Sequence, residues 1–153
     1  AEYKGRGYEN YYEEIHNLFN WMDLQKRLKY PKEIEEKILR PIDNRFYWVR
    51  TEDFPPQIMQ PVVPGKNNRI QAKPVSLNVS VKEGNVVYIK SGGKINTLWL
   101  SPEIVDFEKR LVVRIGGKQK FNDFLRPDMK AMLDDFRNRG DRQKLFDARL
   151  DFF

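Results

Sequence analysis

Near the start of the chain, apolar residues recur with the spacing of one helical face. They stand at positions i, i+3, i+4 and i+7, and Pro31 closes the predicted helix. The members of this face are Tyr8, Tyr11, Tyr12, Ile15, Leu18, Phe19 and Met22. A face this aromatic needs a partner surface. We expect it to dock on the rest of the chain, as part of its core, or on a second copy, which would give a homodimer through the N-terminal helix.

A period of two replaces the helical spacing in the second half of the chain. Residues 75–81 alternate between apolar and polar side chains, and Glu83–Asn85 supplies a turn into a strand at residues 86–90. Gly92–Gly93 predicts a tight hairpin into a further strand at residues 95–100.

The last third of the chain predicts a hairpin, a helix and a strand. A second tight turn at Gly116–Gly117 joins residues 111–115 to residues 118–121. Pro127 then begins a helix at its favoured first-turn position, and Gly140 ends it. The face of this helix that we expect in the core consists of Met129, Met132, Leu133 and Phe136. The final strand points Phe146, Ala148, Leu150 and Phe152 to one side.

Two regions lack a single period. Between residues 33 and 51, Ile34 and Ile38 fit a helical face, whereas Arg45–Arg50 is rich in strand formers and follows turn residues. We favour a hairpin there. Residues 54–68 hold four prolines and predict an irregular loop.

Together these elements predict a fold that is α+β but mainly β. Short strands joined by tight glycine turns are typical of an antiparallel β-sandwich. The sandwich would carry an N-terminal amphipathic helix and one helix before the last strand. The predicted division is a helical segment at residues 1–30 and a β-sandwich domain at residues 31–153.

Composition argues against some classes of binding partner and excludes cysteine-based sites. The 153 residues carry 28 bases and 22 acids, a net charge of +6, and the two signs are interleaved. A continuous basic face for nucleic acid is therefore not expected. No apolar run approaches the roughly 20 residues of a membrane span, so a membrane partner is not expected either. The absence of cysteine excludes disulfides and thiolate metal sites, and it leaves the compartment open because exported bacterial domains often lack cysteine.

The sequence offers no catalytic, cofactor or metal site. His16 is the only histidine, and with Glu13 and Glu14 beside it on a helix it is more typical of a solvated helix surface than of a zinc site. None of the four serines stands in the G-x-S-x-G context of a nucleophile elbow. The two Gly-Gly-Lys turns lack the spacing of a phosphate-binding loop. We therefore expect no catalysis by this chain.

Three strand aromatics are candidate ligand-binding residues. Trp48, Tyr88 and Trp99 could stack on sugar rings if they lie on an exposed sheet face. Residues of this kind belong to a core more often than to a binding surface, so both interpretations stay open.

Two groups of residues carry features of a known family. Residues 3–9 read Tyr-Lys-Gly-Arg-Gly-Tyr-Glu, and the helix at residues 12–22 follows directly. Further along, the features lie at residues 44–48, 100–106 and 137–141. The first group resembles the end of a bacterial α/β-hydrolase domain of the prolyl-oligopeptidase-like type. The second resembles the β-rich domain that follows the hydrolase domain in some of these enzymes.

The resemblance implies an accessory role. In the family, the loop before the last hydrolase helix delivers the catalytic histidine, but Tyr8 stands at that place in this chain. Tyrosine cannot be the general base of a serine triad at neutral pH. The resemblance thus implies a non-catalytic C-terminal domain that shapes the active-site entrance or binds substrate, with an upstream hydrolase domain as its partner. The alternative is a free-standing carbohydrate- or protein-binding β-sandwich.

Overall fold

The computed structural model describes residues 12–24, 30–59, 74–140 and 145–153. Within these ranges the helices are α1 (Tyr12–Leu24), the single turn α2 (Pro56–Met59) and α3 (Met129–Arg139). The strands are β1 (Glu33–Ile38), β2 (Arg45–Phe46), β3 (Val49–Glu52), β4 (Val75–Lys82), β5 (Val86–Ser91), β6 (Ile95–Leu100), β7 (Arg110–Ile115), β8 (Lys118–Phe124) and β9 (Ala148–Phe152).

The described chain is mainly β and forms two sheets. One sheet has five strands in the order β1-β4-β5-β7-β8, and the other has four in the order β2-β3-β6-β9. The predicted alternation is confirmed in β4, where Leu77 and Val79 are buried and Asn78 is exposed. One cluster of buried apolar residues draws side chains from both sheets, including Leu77 of the first and Leu98 of the second. The prediction of antiparallel pairing throughout is wrong at one place, because β5 and β7 are parallel.

The turn at Gly92–Gly93 does not form the predicted hairpin. Since β5 belongs to the five-stranded sheet and β6 to the four-stranded sheet, this turn carries the chain between the sheets. The glycines are needed for close approach: a Cβ at Gly92 would overlap Val75, and a Cβ at Gly93 would overlap Thr51. The turn at Gly116–Gly117 is the predicted hairpin turn, and both glycines have positive φ angles, 56° and 82°.

The hairpin predicted between residues 33 and 51 is present only in its second part. Strand β1 pairs with β4 rather than with the strands that follow it. The hairpin is formed by β2 and β3, whose turn contains Tyr47 at φ 53°. Burial explains the arrangement, because Ile34 and Ile38 face the common core from β1.

Helix α3 has the predicted ends but not the predicted buried face. Gly140 caps its C-terminus in the left-handed conformation, and the N-cap is Asp128, so Pro127 lies before the helix instead of in its first turn. Of the predicted core face, Met129 and Leu133 are exposed. The buried residues of α3 are Ala131 and Asp135.

The described side chains of helix α1, at residues 14–24, lie outside the core. The described apolar side chains at its C-terminal half are exposed, namely Leu18, Phe19, Trp21, Met22 and Leu24. The expectation that the predicted face docks on the rest of the chain is therefore wrong for its members Leu18, Phe19 and Met22. Tyr8 and Tyr11 lie outside the described ranges, and so do residues 25–29, where the helix was predicted to end before Pro31. Most of the loop predicted at residues 54–68 also lies outside them. None of the helices in the described ranges combines the length and apolar character that a bilayer span requires.

Candidate functional site

The outer face of the five-stranded sheet, which points away from the shared core, carries polar side chains around a solvent-open cleft. In β4 and β5 the buried positions Val79 and Ile89 alternate with positions that face solvent. Tyr88 lies at such a position and is 40% exposed. An exposed aromatic ring amid polar neighbours can stack on a ligand, which makes Tyr88 the centre of the candidate site.

Strand register places a set of polar side chains around Tyr88. Ser80 lies directly opposite Tyr88 on β4, and Arg114 lies directly opposite it on β7. Asn78 and Lys90 form the next pair on the same face. With the turn at residues 116–117, these residues line a solvent-open cleft of about 390 Å³, which we call the Tyr88 cleft. Small-ligand sites are commonly about 300–1,000 Å³, so the cleft is large enough for one compact ligand.

The Tyr88 cleft is basic. Within the described ranges, Lys90 and Arg114 form no ion pair, whereas Lys82 on the same sheet is paired with Glu33. The Arg114 guanidinium carbon lies 5.8 Å from the centroid of the Tyr88 ring. The solvent-facing positions on β4, β5 and β7 hold no carboxylate, but on the neighbouring strand β1 Glu33 lies opposite Ser80 and Glu35 lies opposite Asn78 on the same face. A ligand in the cleft therefore meets two cations that are not engaged in an ion pair with the described chain.

Strand β7 reaches its place beside β5 through the segment at residues 101–109. Asn85, at φ 61°, holds this segment with its side chain: Nδ2 donates to the carbonyl of Asp106 (2.8 Å), and Oδ1 accepts from the Asp106 amide (2.9 Å). The carbonyl of Asn85 also accepts from the Val112 amide (3.1 Å). At the far end of β7, the Gly116 amide donates to the Ile89 carbonyl (2.9 Å). These contacts fix the register that sets Arg114 opposite Tyr88.

The three predicted ligand-binding aromatics differ in their exposure to solvent. Trp48 is 0% exposed, and its Nε1 donates to the Pro31 carbonyl (2.8 Å). Trp99 is 5% exposed and lies under the Arg45 guanidinium, 3.8 Å from its ring centroid. Both rings belong to the buried core, which is one of the two interpretations that the sequence left open, and neither lies on an exposed sheet face. Of the three, only Tyr88 has an exposed ring.

The serines and the histidine do not form a catalytic arrangement in the described chain. His16 is exposed on α1. Ser101 is buried with no hydrogen-bond partner for its Oγ among the described residues. The Ser91 hydroxyl lies 2.5 Å from that of Thr51 and accepts from the Gly93 amide, so it is part of the turn between the sheets. In the same ranges, no three His, Asp or Glu residues are grouped as metal ligands would be.

Sequence reasoning found Tyr88 but missed its neighbours. Lys90 follows Tyr88 by two residues on a predicted strand, so a shared face could have been inferred from the period of two. Arg114 could not, because only the parallel pairing of β5 and β7 brings it to Tyr88.

Comparisons with known proteins do not assign the chain to a family. No protein-family model, no curated protein and no solved structure matches the chain.

Proposed function

We propose that the chain is a non-catalytic accessory domain of a serine hydrolase, built as a β-sandwich and carrying a helix that packs on the hydrolase domain. The sandwich assignment is supported by the apolar cluster that the two sheets share, since two sheets that bury one common layer of side chains are the defining feature of that architecture. The accessory role rests on α1 and on the family resemblance of residues 3–22.

The exposed apolar face of α1 is the observation that carries this proposal. Phe19 is 57% exposed and Trp21 is 58% exposed, and Leu18 and Met22 are exposed beside them. Scattered apolar residues on a surface need no explanation, but Leu18, Phe19 and Met22 are neighbours on one side of the helix, and a cluster of exposed apolar side chains usually marks an interaction surface. The resemblance supplies the partner, because the corresponding helix ends the hydrolase fold in the family.

The β region supports the same division of roles. Its core is covered by its own strands and by residues 30–32. Trp48 donates a hydrogen bond to the Pro31 carbonyl, and the Tyr30 ring makes an edge contact with Phe146, with the ring centroids 5.9 Å apart. Among residues 14–24, whose side chains the structure describes, none belongs to the buried cluster. A helix that the core does not use is free to belong to a neighbouring domain.

Binding in trans tests the proposal. The gene is read upstream of residue 1 for an α/β-hydrolase domain with a G-x-S-x-G motif. That domain is produced separately, and its affinity for this chain is measured by calorimetry. The double variant Phe19→Glu/Met22→Glu should weaken binding at least ~10-fold, because truncating a central apolar anchor costs roughly 2 kcal/mol or more. Asn20→Glu, an exposed polar position on the same helix, is the matched control and should bind like the parent.

Three results would contradict the proposal. The first is the absence of any encoded hydrolase domain upstream. The second is equal binding by the parent and the double variant. The third is a fall in melting temperature well beyond the ~2 °C expected of a surface substitution, which would place α1 in the β core. Self-association that the double variant abolishes, without affinity for the hydrolase domain, would assign the face to a second copy of the chain instead.

A further inference from the structure

The Tyr88 cleft has a chemical composition that selects a class of ligand. We propose that it binds an acidic saccharide, that is, a pyranose ring carrying a carboxylate or a sulfate. This inference concerns the five-stranded sheet and does not depend on the partner of α1.

The aromatic part of the cleft suits a sugar ring. The Tyr88 side chain is 40% exposed, and the strand geometry directs it away from the core that Val87 and Ile89 enter from the same strand. The C–H faces of a pyranose pack on such a ring, which has an apolar body and a polar tip. Asn78 and Ser80 lie beside it and offer both donors and acceptors to sugar hydroxyls.

The basic part of the cleft favours an acidic sugar over a neutral one. The Arg114 guanidinium is planar and can hold a carboxylate or sulfate through two parallel hydrogen bonds. Lys90 adds a second cation on the neighbouring row of the sheet. Because no carboxylate of the described chain pairs with either base, an anionic ligand gains both interactions without first displacing a protein partner.

The arrangement of the aromatics favours a saccharide over single-stranded nucleic acid. Nucleic-acid surfaces stack successive bases on successive aromatic side chains. Here Phe124 is another exposed aromatic of this sheet, and it lies beside Arg110, 5.6 Å from its guanidinium carbon. Arg110 and Arg114 are four residues apart on β7, a separation of about 13 Å along the strand. Tyr88 therefore works as a single platform rather than as one of a stack.

The test is binding of defined acidic oligosaccharides to the full chain. Calorimetry is run with trigalacturonate, trimannuronate and a chondroitin sulfate tetrasaccharide, and with methyl-esterified trigalacturonate as the neutral counterpart. At least one acidic probe should bind with saturation, and the ester should bind at least ~10-fold more weakly, since hydrogen bonds to a charged group contribute about 1.5–3 kcal/mol. Arg114→Gln should lower the affinity for that probe by a similar factor.

Matched variants assign the effect to the cleft. Arg110→Gln removes a base from the same strand and the same face but outside the cleft, and should leave the affinity unchanged. Tyr88→Phe should retain binding, and Tyr88→Ala should lose most of it while the melting temperature confirms that the sheet is folded. The proposal is overturned if no acidic probe binds, if the ester binds as well as the acid, if Arg114→Gln and Arg110→Gln behave alike, or if an oligothymidylate of equal charge binds more tightly than every saccharide.

Discussion

Replacing Asp135 with asparagine should destabilise the fold far more than the loss of an exposed carboxylate. The Asp135 side chain is 0% exposed on α3, and it accepts hydrogen bonds from Arg45 Nη2 at 2.8 Å and Arg139 Nε at 2.7 Å. Arg45 comes from strand β2 and also covers the Trp99 ring, so this carboxylate joins α3 to the four-stranded sheet. Asp135→Asn keeps the shape and removes the charge that both arginines face.

The magnitude follows from burial. Breaking a buried ion pair costs about 3–5 kcal/mol, because the remaining charge is left without a partner. The arginine side chains keep 25% and 22% of their surface exposed, so water can partly compensate them. We therefore expect the lower limit, about 3 kcal/mol. For a domain of this size that corresponds to a fall in melting temperature of about 6–12 °C.

Thermal unfolding followed by circular dichroism at neutral pH measures this effect. Asp134→Asn, the adjacent exposed carboxylate, is the matched control and should change the free energy of unfolding by no more than about 0.5 kcal/mol. Equal, small effects of the two variants would refute the reasoning, because they would show that Asp135 contributes no more than a surface charge.

The pH dependence gives an independent check on the same carboxylate. Burial raises the pKa of Asp135, but hydrogen bonds from Arg139 and Arg45 outweigh it and hold the pKa below its ordinary value of 3.8. A carboxylate with a depressed pKa in the folded state stabilises the fold fully above its unfolded-state pKa, about 3.9. The stability gap between parent and Asp135→Asn should thus be constant above roughly pH 5 and narrow as pH falls below about 4. A gap that widens on acidification would contradict this assignment.

Two further substitutions test the segments that position the strands. Gly93→Ala should lower the free energy of unfolding by about 2 kcal/mol or more, because the added Cβ would overlap Thr51 Oγ1 and the Glu52 carbonyl. An effect under about 0.5 kcal/mol in thermal unfolding would show that the backbone of the turn between the sheets moves to accommodate the methyl group. Asn85→Ala should lower the free energy of unfolding by about 2 kcal/mol, because the hydrogen bonds to Asp106 are lost. Asn85→Gly also removes these hydrogen bonds but tolerates the positive φ angle, so it separates their contribution from backbone strain. Equal stability of the parent and the glycine variant would show that the hydrogen bonds contribute nothing.

Periodicity predicted the strands well and their partners poorly. The alternation at residues 75–81, the turn at Glu83–Asn85 and the hairpin at Gly116–Gly117 depend on local chemistry, and all three are confirmed. The change of sheet at Gly92–Gly93 depends on contacts with Val75 and Thr51, which are distant in the sequence. A Gly-Gly pair predicts a hairpin when positive φ angles are needed, but here it serves close packing instead.

Helix α3 shows why the buried face of a helix can be misjudged from apolar spacing. Met129 and Leu133 suit a core by residue type, yet the helix turns Ala131 and Asp135 toward the sheet. A buried aspartate costs several kcal/mol unless it is paired, so sequence reasoning places it outside. Its partner Arg45 lies ninety positions earlier in the chain, and no local pattern connects the two.

The same dependence on distant contacts governs the candidate binding site. Tyr88 was accessible to sequence reasoning because it stands on a strand with a clear period, but an exposed tyrosine alone does not select a ligand. Selectivity for an anion comes from Arg114, which reaches Tyr88 only because the segment at residues 101–109 returns the chain parallel to β5. The hydrogen bonds between Asn85 and Asp106 hold that segment, so the ligand preference of the Tyr88 cleft is determined by a turn residue that touches no ligand.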